Sequence, residues 1–368
     1  MNARANYGGV LQAYALVTAL RRLGNEAEVI YLYSKKRFHP LRTPYRIFKR
    51  ICRKYLKGES VTILYERKVN YELPIVSANT QKFINKYIPY VEVRNYKKLK
   101  SNDWDALVVG SDQVWRPDYQ WELLPDFFLK FASKWKIKKI AYAPSFGTDV
   151  WNYSKKQEKV CGQLLQLFNA VSVRERSAVD LCKEHWDVTP EVVLDPTLLL
   201  SRSDYEEIIK QSYATKSPGD LLCYVLDENE EKRRIINNIV VQQDLTPFRI
   251  NSRYEDLSAP LNERIQPPVE QWLRGFMDAK FVVTDSFHAC VFSIIFNKPF
   301  VVIGNKERGM ARFISLLSMF GLEERLIDMN SSYSYNCELN IDWEQVNKNL
   351  NSWREKSSSF IKNALIPL

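Results

Sequence analysis

The chain has 368 residues and a formal charge of +10, with 45% hydrophobic and 13% aromatic residues. That is too long for one ordinary domain and too apolar for wholesale disorder. No apolar stretch approaches the roughly 20 residues needed to span a bilayer, and with the polar run Asn2-Ala3-Arg4-Ala5-Asn6 after Met1 no secretory signal peptide is expected.

The chain opens abruptly on a loop-like motif, so the expectation is an upstream piece missing from this form. Asn6-Tyr7-Gly8-Gly9 runs into residues 9–23 (GVLQAYALVTALRRL), whose apolar spacing predicts a helix stopped by Gly24. Glycines before a helix N-terminus let backbone N–H groups approach an anion, which the helix dipole favours. The plain alternative is an ordinary turn. A short strand follows over 28–33.

The basicity is local. Between Lys35 and Lys57 there are ten basic residues, Lys35, Lys36, Arg37, Arg42, Arg46, Lys49, Arg50, Arg53, Lys54 and Lys57, and no acid. Residues 44–57 place Tyr45, Phe48, Ile51, Cys52, Tyr55 and Leu56 on one helical face and basic side chains on much of the rest. Such an insertion (35–58) is either a membrane-surface element or a surface helix packed on its own domain. Nucleic acid is a poor fit, since the charge is confined to one segment and no nucleic-acid-binding fold is recognisable.

Strand and helix patterns then alternate, which predicts parallel sheets with helices on both faces. Strands are expected at 105–110, 139–143 and 170–173, with a helix over 155–168. In the second half strands are expected at 221–226, 248–251, 281–284 and 300–303, and helices at 230–243, 268–278, 287–296 and 308–320. Asp195-Pro196-Thr197, followed by Ser201-Arg202-Ser203, marks the domain junction. The expected organisation is an N-terminal domain over 1–197, a second domain over 198–341 and a polar helix over 342–363. That helix, within a tail over 342–368, would pack back on the first domain. Ligands of such sheets bind beyond the carboxyl ends of the strands.

Three strand ends carry chemistry. Val108-Val109-Gly110-Ser111-Asp112-Gln113-Val114-Trp115 offers hydrogen-bonding side chains and an aromatic face, as a sugar requires; a capping turn is the alternative. Ser172-Val173-Arg174-Glu175-Arg176 offers a guanidinium fork matched to carboxylate or phosphate, against a plain solvated charge cluster. Thr284-Asp285-Ser286-Phe287-His288-Ala289 sets a histidine in the first turn of a helix at the open end of a sheet. There proton transfer or anion binding is geometrically feasible. The other two histidines, His39 and His185, read as structural. The six cysteines, Cys52, Cys161, Cys182, Cys223, Cys290 and Cys337, show neither CxxC nor Cys/His metal spacing. They read as reduced thiols, with no metal site and a cytoplasmic setting.

Together NYGGVLQAYAL (6–16), VVGSDQVW (108–115), AYAPSFG (141–147), SVRE (172–175), LDPTLLL (194–200) and TDSFHA (284–289) make the chain resemble the polysaccharide pyruvyl transferase family. The resemblance implies two Rossmann-like domains facing across a cleft, similar to GT-B glycosyltransferases. It implies transfer of a pyruvyl group from phosphoenolpyruvate, a co-substrate rather than a cofactor, to sugar hydroxyls of an exopolysaccharide, capsule or cell-wall precursor, as a ketal. By position it implies that Arg174 holds the donor's phosphate or carboxylate, and that His288 clamps the phosphate or protonates the methylene carbon. Asp112 or Asp285 then deprotonates the sugar hydroxyl. Asn6, Gly8, Gly9, Gln12, Ser111, Gln113, Trp115, Ser145, Glu175 and Ser286 complete the expected binding set. A lipid-diphosphate-linked acceptor would suit the basic segment and a place at the inner face of the plasma membrane.

The family's pattern includes a hydrophobic strand before the NYG loop that this sequence lacks. Either the chain is truncated or its first sheet is built differently. Two other functions compete: a nucleotide-sugar glycosyltransferase of the same shape, disfavoured by the lack of a clear acidic ribose contact, and a non-catalytic membrane- or polyanion-binding protein.

Overall fold

A computed structural model describes residues 6–32, 42–59, 61–120, 123–304, 309–327 and 340–366. Lys35, Lys36, Arg37, His39 and Cys337 therefore lie outside the described residues.

The first helix, α1 (Tyr7–Arg22), starts where Asn6 Oδ1 accepts from Gly8 N at 3.0 Å and carries Arg21 and Arg22 in its last turn. Both ends thus suit the helix dipole. It leads to β1 (Val29–Leu32), which pairs in parallel with β2 (Tyr90–Val93). Between them lie α2 (Arg42–Leu56), α3 (Tyr65–Val76) and a further helix, Ala78–Tyr87. A second sheet of the first half contains β3 (Ala106–Gly110), β4 (Lys138–Tyr142), β5 (Ala170–Val173) and β6 (Glu191–Val192), parallel and in that order. The first half is thus built as a two-stranded and a four-stranded sheet, with β1 and β3 as edges.

The second half forms one parallel sheet in the order β11-β10-β9-β7-β8. Its strands are β7 (Leu221–Tyr224), β8 (Pro247–Phe248), β9 (Phe281–Thr284), β10 (Phe300–Ile303) and β11 (Leu326–Ile327). Every residue of β7, β9 and β10 is buried, as apolar runs covered on both faces require. The chain moves outward from β7 to β8, then returns to build β9 on β7's other side. The strand order therefore reverses between β7 and β9, the position where such sheets form ligand crevices. The α/β class and all-parallel pairing agree with the sequence reading.

The largest buried cluster crosses between the halves. Tyr7, Val10 and Leu11 of α1 join Phe83 and Ile84 and pack with Trp272, Phe276 and Phe292 from the second half. Tyr7 stacks on Trp272 at 5.4 Å and donates its hydroxyl to Pro267 O at 2.7 Å. The seam between the two halves therefore runs through α1. The last helix, Trp343–Leu365, returns to the first half: Phe360, Ile361 and Ala364 pack with Leu20, Ile140 and Tyr142, and Leu194 N donates to Ser357 Oγ at 3.0 Å.

Candidate active site

The strand ends of both halves converge on one buried carboxylate. Asp195 follows β6 and caps the short helix Pro196–Leu199. Its Oδ1 accepts from Thr197 N at 3.0 Å and Thr197 Oγ1 at 2.6 Å. Its Oδ2 accepts from Gln12 Nε2 of α1 at 2.6 Å and from Arg174 Nη1, just beyond β5, at 2.9 Å. His288 Nε2, on helix Phe287–Ile295 after β9, lies 3.8 Å from the same oxygen. Burial alone would push the Asp195 carboxyl up, but His288, Arg174 and Thr197 outweigh it and hold it below the ordinary carboxylate value.

Arg174 is buried over the ring of Phe287, its guanidinium carbon 4.3 Å from the centroid. Burial pulls its pKa down, yet Asp195, Glu175 and Asp112 more than offset this, so it is held above the usual value. Burial lowers His288 below 6.5, with Arg174 and Arg312 adding to the effect and Asp195 and Asp112 opposing it only in part. The imidazole is therefore neutral near pH 7, leaving Arg174 as the standing countercharge to Asp195. Gly8 brings the N-terminus of α1 onto this imidazole: a Cβ there would sit 2.1 Å from His288 Nδ1.

Three donors in this cluster lack acceptors. Among the described residues, Arg174 Nε, Arg174 Nη2 and His288 Nε2 are buried with no hydrogen-bond partner. His288 Nε2 is a donor in the imidazolium or in the tautomer that carries its proton there. Arg174 Nη2 is 3.8 Å from Asp112 Oδ1 and Arg174 Nε is 3.8 Å from Glu175 Oε2, beyond hydrogen-bond reach. Buried donors left unmade are costly and call for an explanation. A carboxylate or phosphate would satisfy all three.

Asp112 stands at the rim. It adopts a left-handed φ of +57°, and its side chain is 30% exposed where Arg174 is 3%. Ser111 is buried beside it, and Gln113 Oε1 accepts from Arg116 Nη1 at 3.0 Å. Gln12 and Gly8 belong to the cluster, Gly9 follows in the same helical turn, and Asn6 acts as the helix cap. Glu175 and Ser145 brace the floor: Glu175 Oε1 accepts from Ser145 Oγ and Phe146 N, both at 2.8 Å, and from Gly147 N at 3.3 Å. Ser286 caps the His288 helix without a side-chain capping bond.

Two expected roles change. Trp115 is no sugar platform: it is fully buried, stacks on Phe128 at 4.8 Å and donates Nε1 to Phe127 O at 3.1 Å. Asp285 is fully engaged at the β7/β9 switch point, where its oxygens accept from Leu226 N (2.8 Å), Asp227 N (3.1 Å) and Lys232 Nζ (2.7 Å). A carboxylate so occupied is poorly placed as a base. His185 is structural, stacked on Trp151 at 3.8 Å and bonded to Glu158.

The sequence reading missed two residues. Asp195 reads as a junction because Asp-Pro-Thr is also an ordinary helix start. Arg312 lies buried on helix Ala311–Ser318 with its guanidinium carbon 5.5 Å from the Phe287 ring that Arg174 also covers. Burial and Arg174 lower its pKa to about 10, so it stays charged at neutral pH. Among the described residues no group of three or more His, Cys, Asp or Glu side chains is placed to hold a metal ion.

The profile of the polysaccharide pyruvyl transferase family matches residues 6–307, from the Asn6 cap past the His288 helix. The chain belongs to the polysaccharide pyruvyl transferase family. It is thus a transferase of polysaccharide biosynthesis that acts in pyruvyl transfer. No curated protein matches the sequence. A crystal structure of UDP-GlcNAc 2-epimerase from Neisseria meningitidis bound to UDP-GlcNAc is similar at a TM-score of 0.46 and 8% identity, covering 98% of this chain and 92% of that one. The E. coli heptosyltransferase WaaC with ADP is similar at 0.35 and 11% identity, covering 81% and 84%.

Proposed function

We propose that this pyruvyl transferase uses phosphoenolpyruvate as donor and forms a pyruvate ketal on a sugar of an exopolysaccharide, capsule or cell-wall precursor. The observation that carries the reading is the set of buried donors without acceptors on Arg174 and His288, held in place by Asp195. Arg174 binds the donor's carboxylate or phosphate through Nε and Nη2, and Arg312 adds positive charge behind Phe287.

His288 starts neutral. An incoming anion beside it favours the imidazolium, so donor binding itself charges the residue that donates the proton. Protonation of the methylene carbon makes the adjacent carbon oxocarbenium-like, and a sugar hydroxyl attacks it while Asp112 takes the hydroxyl proton. Phosphate then departs as a second hydroxyl attacks the same carbon and closes the ketal, the second proton leaves on the phosphate, and the proton held by Asp112 passes through solvent to restore His288. One phosphoenolpyruvate and two hydroxyls thus give one ketal and one phosphate.

The test is phosphate release from phosphoenolpyruvate, measured over a panel of sugar acceptors. Release should depend on an acceptor and disappear in His288→Ala. Turnover unimpaired in that variant removes His288 from the mechanism, and release independent of any acceptor removes the transfer.

A further inference from the structure

α2 is mounted on the protein the opposite way from a helix that merely covers its own domain. Its inward anchor is polar. Arg50 Nη1 and Nη2 donate to Glu66 Oε2 and Oε1 of α3 at 2.7 and 2.8 Å, and the Arg50 guanidinium carbon lies 5.2 Å from the ring centroid of Tyr65. The apolar side chains point to solvent: Tyr45, Phe48, Tyr55 and Leu56 are 65–80% exposed, and Ile51 is 37% exposed. A surface helix ordinarily turns its apolar stripe to the core and its charges to water.

At about 100° per residue, Phe48, Ile51, Cys52 and Tyr55 form one flank with Tyr45 and Leu56 at its border. Lys49, Arg53, Arg46 and Lys57 follow around the circumference, all exposed. Arg53 bonds Glu59 at 2.6 Å and Arg46 lies in the field of Glu66, whereas among the described residues Lys49 and Lys57 make no ion pair. Aromatic and aliphatic groups beside a flank of net positive charge complement a surface with apolar depth and negative headgroups. A second copy of α2 would meet this flank with like charge. A nucleic acid would engage the cations and leave the apolar flank in water.

We propose that α2 seats the protein on an anionic lipid bilayer, with Phe48, Tyr55 and Leu56 at the headgroup boundary and the lysines and arginines against lipid phosphates. The inference stands independently of the donor assignment, since none of these residues touches the Asp195 cluster.

The experiment is co-sedimentation of the full chain with vesicles of phosphatidylcholine alone and of phosphatidylcholine mixed with phosphatidylglycerol. Binding to the mixed vesicles should be at least roughly tenfold tighter and should weaken with added salt. The triple variant Phe48→Ser, Tyr55→Ser, Leu56→Ser should lose roughly tenfold of that binding. Its thermal melt and acceptor-dependent phosphate release should match the parent, because all three positions are exposed. Equal binding to both vesicles overturns the proposal, as does a triple variant that binds like the parent. So does a parent chain that ignores vesicles but binds DNA, or one that dimerises through α2. Loss of vesicle binding with phosphate release intact, or the reverse, separates this inference from the proposed reaction.

Discussion

Gly8 and His288 meet across the seam, with the backbone of the first helical turn against the imidazole edge. A methyl at Gly8 would fall 2.1 Å from His288 Nδ1, far inside any real carbon contact. The imidazole is buried, so admitting the methyl displaces it from this position. Gly8→Ala should lower kcat/KM for phosphoenolpyruvate by at least about tenfold and destabilise the fold by about 1–3 kcal/mol, as overpacking does. Phosphate-release kinetics and thermal melts measure the two effects separately.

Asp195 should matter more to folding than His288 does. It is the acceptor for Gln12, Arg174 and Thr197, so its removal leaves a buried guanidinium without its nearest countercharge. Breaking a buried pair from one side costs about 3–5 kcal/mol. Asp195→Ala should therefore unfold at clearly lower urea concentration than His288→Ala, which strands no charge at neutral pH. Equal midpoints for the two variants would show that Arg174 does not depend on Asp195.

The pH dependence has a definite sign. Burial holds His288 below 6.5, so the unfolded chain takes up a proton there that the folded chain refuses. His288 thus weakens the fold as pH falls below that value, down to its own lowered pKa, and contributes no such penalty above it. Asp195, held below its ordinary value, adds stability above roughly pH 3.9 that is lost on further acidification. His288→Gln should flatten the first of these slopes in urea titrations and also reduce the second, since His288 helps to hold Asp195 low. By the same logic donor binding near pH 7 should take up as much as one proton in the parent and none in His288→Gln. Calorimetry in buffers of different ionisation enthalpy reads that uptake directly.

The parts legible in the sequence are those whose signal is local. Apolar runs ending in glycine, aspartate or serine mark β3, β9 and β10, and the helical period marks Glu230–Gln243 and Phe287–Ile295. Strands of two residues, such as β6 and β11, have no run to read. Helix Arg176–Trp186 hides behind its opening charges, although Ala178, Leu181, Cys182 and Trp186 form a buried face. The site was legible only through its donors. Arg174 and His288 lie at strand ends, whereas the carboxylate that unites them, Asp195, stands 21 residues from Arg174 and 183 from its third partner Gln12. Arg312 lies in a segment readable as helix, but no local pattern says which side of that helix turns inward.

Trp115 and the two aspartates give the last test, because here position and environment point in opposite directions. Trp115 sits in a motif suited to a sugar, yet Phe128, Phe146 and Trp186 enclose it. Trp115→Ala should therefore cost about 3–5 kcal/mol of stability, while Trp115→Phe, if it folds, should leave the acceptor KM unchanged. Asp285 likewise holds Lys232 and two backbone N–H groups, so Asp285→Asn should lower the melting temperature before it touches the chemistry. Asp112 bears the opposite signature. Its side chain is part-exposed at the rim and 3.8 Å from Arg174, so Asp112→Asn should keep the melt and lower kcat by about 100-fold or more. If Asp285→Asn instead retains its melt and loses kcat, the base lies at the β7/β9 switch point and Asp112 merely shapes the entrance.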